Sequence, residues 1–244
     1  MNLSRLLTGR DREPPEPKKP VTNNLLTVWP IGQSPDGAER VFIVGKSGSG
    51  KTQLAKLLLS NYTDVICLDP KCTLRIPGFR IITDPKKLNS VKRGENIIFR
   101  PPHDWTFAQY EAFFKWVYLR KNTLLYIDEI YAIANASVQP NTWLGAIATR
   151  GREIGVHLWI ATQRPMNVPN FPVSECEWIF CFRLKLPQDK KKIEEVAEER
   201  LAHIIGGLRK YEFIVVSNVT ETISPPTKLN VPKHLLTKVK KKAA

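Results

Sequence analysis

Between an unbroken apolar run, Val41-Phe42-Ile43-Val44, and a leucine-rich helical segment stand eight residues, Gly45-Lys46-Ser47-Gly48-Ser49-Gly50-Lys51-Thr52. This is G-x-x-x-x-G-K-[ST] in the strand–turn–helix setting that gives the pattern its meaning. The glycines let backbone N–H groups turn inward around phosphate oxygens, and the N-terminus of the next helix adds its positive dipole end. In that arrangement Lys51 reaches the β- and γ-phosphates and the Thr52 hydroxyl holds Mg²⁺. The loop predicts binding of a nucleoside triphosphate with Mg²⁺, and confines the chain to folds that place a strand and a helix on either side of it.

The remaining pattern agrees. From Leu25 onward short apolar segments alternate with helical ones. Strands are expected at Leu25–Trp29, Arg40–Val44, Asp64–Leu68, Asn96–Arg100, Leu124–Ile127, His157–Ala161, Glu177–Leu184 and Tyr211–Val216. The early ones hardly alternate between apolar and polar residues, as strands covered on both faces should not. Helices are expected at Lys51–Ser60, from Thr106 with Gln109 completing a capping box, and at about Asp189–Ile205. In the second, Phe107, Tyr110, Phe113, Phe114 and Val117 form a stripe read as core. In the third, Ile193, Val196, Ala197, Leu201 and Ile204 should point inward. The fold class is therefore α/β, a mostly parallel sheet covered by helices on both faces, with its ligand at the carboxyl ends of the strands. Cys67, Cys72, Cys176 and Cys181 are read as packing residues.

Residues 1–23 form a proline-rich, charged arm unable to bury a core, residues 24–232 the ATPase domain, and residues 233–244 a basic tail. The 244 residues carry 37 Lys+Arg against 23 Asp+Glu, a formal net charge of +14. That excess points to a polyanionic partner. No apolar run approaches the length of a membrane span, and no secretory signal is apparent, so a cytoplasmic location is expected.

Leu124-Leu125-Tyr126-Ile127-Asp128-Glu129 is an apolar strand ending in two carboxylates. Asp128 is placed to hold Mg²⁺ with Thr52. Glu129, one residue on, faces the position of an attacking water and can act as its general base. A further strand ends in Thr162-Gln163-Arg164-Pro165, where Gln163 can report the state of a γ-phosphate. Arg150 and Arg152 precede that strand at the end of a helix, placed to point away from their own P-loop. An arginine supplied to a neighbour's γ-phosphate is worth about 10³–10⁵ in turnover.

Gly151-Arg152-x-x-Gly155-Val156-His157 leading into Ala161-Thr162-Gln163-Arg164-Pro165 resembles the FtsK/HerA superfamily of DNA-pumping ATPases. Asp69-Pro70-Lys71, Gly45–Thr52 and Asp128-Glu129 fit the same superfamily in order and spacing. The resemblance implies a RecA-like core in a homo-oligomeric ring, usually a hexamer, with ATP between subunits. It implies that Glu129 activates water, Gln163 senses phosphate, and Arg152, or Arg150, is the finger acting in trans.

The chain is too short for the extra domains of cellular FtsK and HerA proteins. It looks most like the minimal genome-packaging ATPases of membrane-containing, double-jelly-roll viruses and phages. Such a motor would translocate double-stranded DNA without sequence preference in an infected cell, with a capsid vertex or portal as further partner and a possible place in the virion. Alternatives are a Zot-type filamentous-phage assembly ATPase, which extrudes DNA, and a helicase. A ParA-type ATP switch shares Lys46 but neither the Asp-Glu pair nor the Gln motif.

Overall fold

The computed structural model describes residues 39–133, 142–197, 201–230 and 232. The expected strand at Leu25–Trp29, the arm and the basic tail lie outside the described residues. Among the described residues ten strands form one sheet: β1 Arg40–Val44, β2 Val65–Leu68, β3 Arg80–Ile82, β4 Ile97–Phe99, β5 Thr123–Ile127, β6 Val156–Thr162, β7 Trp178–Phe182, β8 Glu212–Ser217, β9 Thr222–Ile223 and β10 Thr227–Lys228. Their order is β10-β8-β7-β1-β6-β5-β2-β4-β3, with β9 paired to β8. Every pairing from β3 across to β7 is parallel. β8 then turns the edge antiparallel, with Phe182 opposite Phe213. The α-helices lying wholly within the described residues are α1 Lys51–Leu59, α2 Phe107–Arg120, α3 Trp143–Arg150, α4 Asn170–Ser174, α5 Pro187–Val196 and α6 Leu201–Gly207.

The missing apolar alternation in the central strands has a direct cause. Successive side chains point to opposite faces, and both faces are covered. Phe42, Val44, Ile66, Leu68, Leu125, Ile127, Leu158 and Ile160 meet Phe113, Phe114 and Val117 of α2 and Leu144 and Ile147 of α3. Val41, Ile43, Val65, Cys67, Leu124, Tyr126, Trp159 and Ala161 meet Leu54, Leu57 and Leu58 of α1. Full burial of each large apolar side chain contributes about 1.5–3 kcal/mol, so packing on both faces of the sheet centre is a main source of stability.

α2 begins as its sequence demands: Thr106 N donates to Gln109 Oε1 at 2.8 Å, the return bond of a capping box. The aromatic stripe is only partly core. Phe113, Phe114 and Val117 are buried, but Phe107 in the first turn is 46% exposed, because the helix meets the sheet only after it. The expected helix at Asp189–Ile205 appears as α5 and α6. Ile193, Leu201 and Ile205 take its inner positions, while Ile204 is on the outside, since the second segment does not continue the phase of the first. Cys72 is exposed in a turn with φ 57° and does not pack, whereas Cys67, Cys176 and Cys181 are buried.

The amino-terminal edge of the sheet holds a polar cluster. Glu39 N donates to His157 Nδ1 (3.0 Å) and Tyr62 OH donates to Glu39 Oε2 (3.0 Å). Burial lowers the His157 pKa to about 4. An unfolded histidine binds its proton near 6.5, so the unfolded chain takes up a proton that the native one refuses between pH 6.5 and 4. The stability this group contributes is present above pH 6.5 and is lost as pH falls, by up to about 3 kcal/mol. Denaturant midpoints at pH 7 and pH 5 should therefore differ less for His157→Asn than for the wild type.

Candidate functional site

Because β1, β5, β6 and β7 are parallel, their carboxyl ends share one edge. The P-loop leaves β1 there, Asp128 and Glu129 leave β5, and Thr162 and Gln163 end β6. The loop needs its glycines. Gly45 (φ 155°) could not carry a Cβ, which would lie 2.5 Å from Phe182 Cβ, and Gly48 adopts φ 72°. Lys46 N donates to Arg183 O (2.9 Å), tying the loop to the end of β7. The Lys51 ammonium folds back on the loop, donating to Gly45 O (2.6 Å) and Lys46 O (3.1 Å). Burial brings its pKa down to about 8, against the pull of Glu129 and Asp128. Among the described residues the buried Ser49 hydroxyl has no hydrogen-bond partner. An orphaned buried hydroxyl beside inward-turned backbone is what a phosphate oxygen would satisfy.

Asp128 is 9% exposed, and burial raises its pKa to about 6, with Asp69 and Glu129 adding to the rise. Tyr126 OH donates to its Oδ1 at 2.9 Å, partly offsetting that cost. Its carboxylate and the Thr52 hydroxyl are hard oxygen donors of the kind that, with phosphate oxygens, would suit Mg²⁺. Among the described residues no group of three or more His, Cys, Asp or Glu could hold a metal ion.

Glu129 is held more tightly than its sequence suggests. Its backbone is left-handed (φ 69°), a conformation a glutamate rarely takes unless its surroundings impose it. Oε1 accepts from Thr162 Oγ1 (2.9 Å) and Gln163 N (2.8 Å), and Oε2 from Lys71 Nζ (2.9 Å). The carboxylate that follows β5 and the segment that ends β6 are thus directly hydrogen-bonded.

Lys71 arrives through the Asp-Pro-Lys turn after β2. Asp69, fully buried, accepts from Thr73 N (3.2 Å), Leu74 N (2.9 Å) and Arg100 Nε (3.2 Å), which fixes the turn. Sequence reading gave Lys71, Thr162 and Arg100 no role of their own. The signal available was the position of Asp69-Pro70-Lys71 at the end of a strand that neighbours β5 in the sheet.

Gln163 Nε2 and Oε1 have no described bond, and the neighbouring Arg164 Nε pairs with Asp189 Oδ2 of α5 (3.3 Å). Arg150 and Arg152 lie at the other edge. β6 rises about 3.3 Å per residue over 7 residues, which puts Arg152 roughly 20 Å from the Gln163 end. Arg150 is exposed on the last turn of α3. Arg152 is ion-paired with Glu177, whose Oε2 accepts from Arg40 N (3.3 Å). The fold therefore brings together the P-loop, Asp128, Glu129 and Gln163, and separates both arginines from them.

The glycines flanking Arg152 have steric reasons. A Cβ on Gly151 would overlap the Ile147 and Val156 carbonyl oxygens, and one on Gly155 (φ 69°) would overlap Asn122. Gly151→Ala and Gly155→Ala should each cost about 1–3 kcal/mol of stability, read as a lowered denaturation midpoint.

Viral and archaeal proteins are among those the chain is similar to. The chain is 25% identical over 166 residues to the DNA packaging ATPase P9 of Enterobacteria phage PRD1, covering 66% of this chain and 70% of that protein. It is 28% identical over 115 residues to a probable DNA double-strand break repair helicase HerA of Methanocaldococcus jannaschii, covering 46% of this chain and 23% of the helicase. The chain thus spans about a quarter of the length of that relative. In fold it resembles the genome packaging NTPase B204 of Sulfolobus turreted icosahedral virus 2, with a TM-score of 0.69 at 18% identity over 80% of this chain and 98% of B204. The family model of the Zonular occludens toxin (Zot) matches residues 40–200, two thirds of the sequence, and the chain belongs to that family.

Proposed function

We propose that the chain is an ATP-hydrolysing subunit of a homo-oligomeric ring that translocates double-stranded DNA in viral genome packaging. The observation that carries the reading is the carboxylate of Glu129, held beside the P-loop edge and bonded to Gln163 N. Binding-only P-loop proteins have no need of this second carboxylate. The similarity to P9, a DNA packaging ATPase, over 70% of its length supports the choice of substrate.

In this reading the loop N–H groups and the Ser49 hydroxyl receive phosphate oxygens, and Lys51 exchanges its bonds to Gly45 O and Lys46 O for the β- and γ-phosphates. Thr52 and Asp128 hold Mg²⁺, which neutralises charge on the phosphates when bound. Glu129 orients a water and takes its proton, and Gln163 reports the change through the shared bond. A net charge of +14 suits contacts to the DNA backbone, which carry no sequence preference.

The Zot family model favours a second reading, a filamentous-phage assembly ATPase that extrudes DNA. Among the described residues no helix is long and apolar enough to cross a membrane. ATPase rates without nucleic acid, and with single strands, duplex DNA or RNA, at two salt concentrations, separate the readings. Duplex stimulation that falls steeply with salt is expected. Stimulation by single strands alone would replace packaging with extrusion or unwinding, and no turnover under any condition would remove the enzyme reading.

A further inference from the structure

The direction of a bound triphosphate follows from where the hydrolytic groups stand. β1 has β6 and then β5 on one side, and β7 and then β8 on the other. Asp128, Glu129 and Gln163 all lie on the β6–β5 side. A triphosphate with its γ-phosphate facing them runs across the loop, with its sugar and base directed toward β7 and β8.

Tyr211 stands on that side. β8 runs antiparallel to β7, so the residue before it emerges at the same edge as the P-loop. Tyr211 N donates to Ser49 O of the loop (3.0 Å), and Leu229 N donates to Tyr211 O (2.7 Å). Its Cδ1 lies 2.9 Å from where a Cβ on Gly50 would be, and Gly50 (φ 125°) has none. The Tyr211 backbone is left-handed (φ 65°), a strain that the surrounding bonds impose on an aromatic residue. Yet Tyr211 stays 36% exposed, while its aromatic neighbours Phe182 and Phe213 are buried. The Lys210 ammonium rests 5.0 Å from its centre, a flexible group that a base can displace.

We propose that Tyr211 is the platform on which the base of the nucleotide stacks, an inference that rests on the ATP-binding reading above. A ring fastened by its backbone to the phosphate loop, and part of a residue that stays partly open to solvent, is held beside the expected place of the phosphates. Stacking responds to flatness and area, so purine nucleotides should bind more tightly than pyrimidine ones.

Calorimetric titration of wild type, Tyr211→Ala and Tyr211→Phe with ATP, GTP and inorganic tripolyphosphate, each with Mg²⁺, tests this. Tyr211→Ala should weaken ATP and GTP by about tenfold and leave tripolyphosphate unchanged, while Tyr211→Phe stays within about twofold of wild type. Equal losses for ATP and tripolyphosphate would mean that the residue only props the loop, and unchanged ATP affinity in Tyr211→Ala would remove it from the site. Either overturns the platform while leaving the triphosphate site standing. A wild type that binds neither ATP nor tripolyphosphate overturns the nucleotide reading itself.

Discussion

Glu129→Gln is expected to lower ATP turnover by about 10²–10⁴-fold while leaving ATP binding intact. The substitution keeps nearly the same volume and an oxygen able to accept from Thr162 Oγ1 and Gln163 N, so the segment after β5 should stay in place. It removes the charge that pairs with Lys71 and the basicity needed to take a proton from water. None of the loop contacts expected to hold the triphosphate passes through Glu129, and binding should survive. The measurement is single-turnover hydrolysis beside equilibrium nucleotide binding. Full turnover in the variant would sink the assignment. Loss of binding together with turnover would mean instead that Glu129 is a structural brace for the edge.

The second large effect concerns Arg152. If this guanidinium completes a neighbour's site, Arg152→Ala should lose about 10³–10⁵ in turnover while keeping its own P-loop competent. Lys51→Ala should be inactive for the opposite reason, losing its hold on phosphate while offering a normal arginine. Mixed in one ring, the two inactive variants should regain a measurable rate, because some interfaces then pair an intact loop with an intact Arg152. The ion pair with Glu177 inside the same chain makes a competing outcome concrete. Were the pair purely structural, Arg152→Ala would lower the denaturation midpoint and mixing would restore nothing. Repeating the mixture with Arg150→Ala tells which of the two arginines matters.

The parts of this architecture legible in the sequence are those governed by local chemistry. The P-loop glycines, the Thr106 cap and the two carboxylates after β5 declare themselves because each needs a particular residue type at a particular spacing. Short edge strands do not. β3 has two exposed residues of three, and β9 and β10 are two residues each, so no apolar pattern marks them. The phase change between α5 and α6, which turns Ile204 outward, depends on what the second segment meets rather than on its own periodicity. The same limit applied within the site. Lys71 on Glu129 is a contact between residues 58 positions apart, created by the adjacency of β2 and β5. Tyr211 on the P-loop depends likewise on the antiparallel return of β8.

The placement of Arg150 and Arg152 at one edge of the sheet and the P-loop at the other has a consequence for how the protein behaves on dilution. If an arginine at that edge completes a neighbour's site, a protomer carries part of one site at each end and cannot complete either by folding on itself. Specific activity should then depend on protein concentration, rising as rings form and vanishing for isolated chains even at saturating ATP. A rate per chain that stays constant across dilution through dissociation would mean that each domain is catalytically self-sufficient.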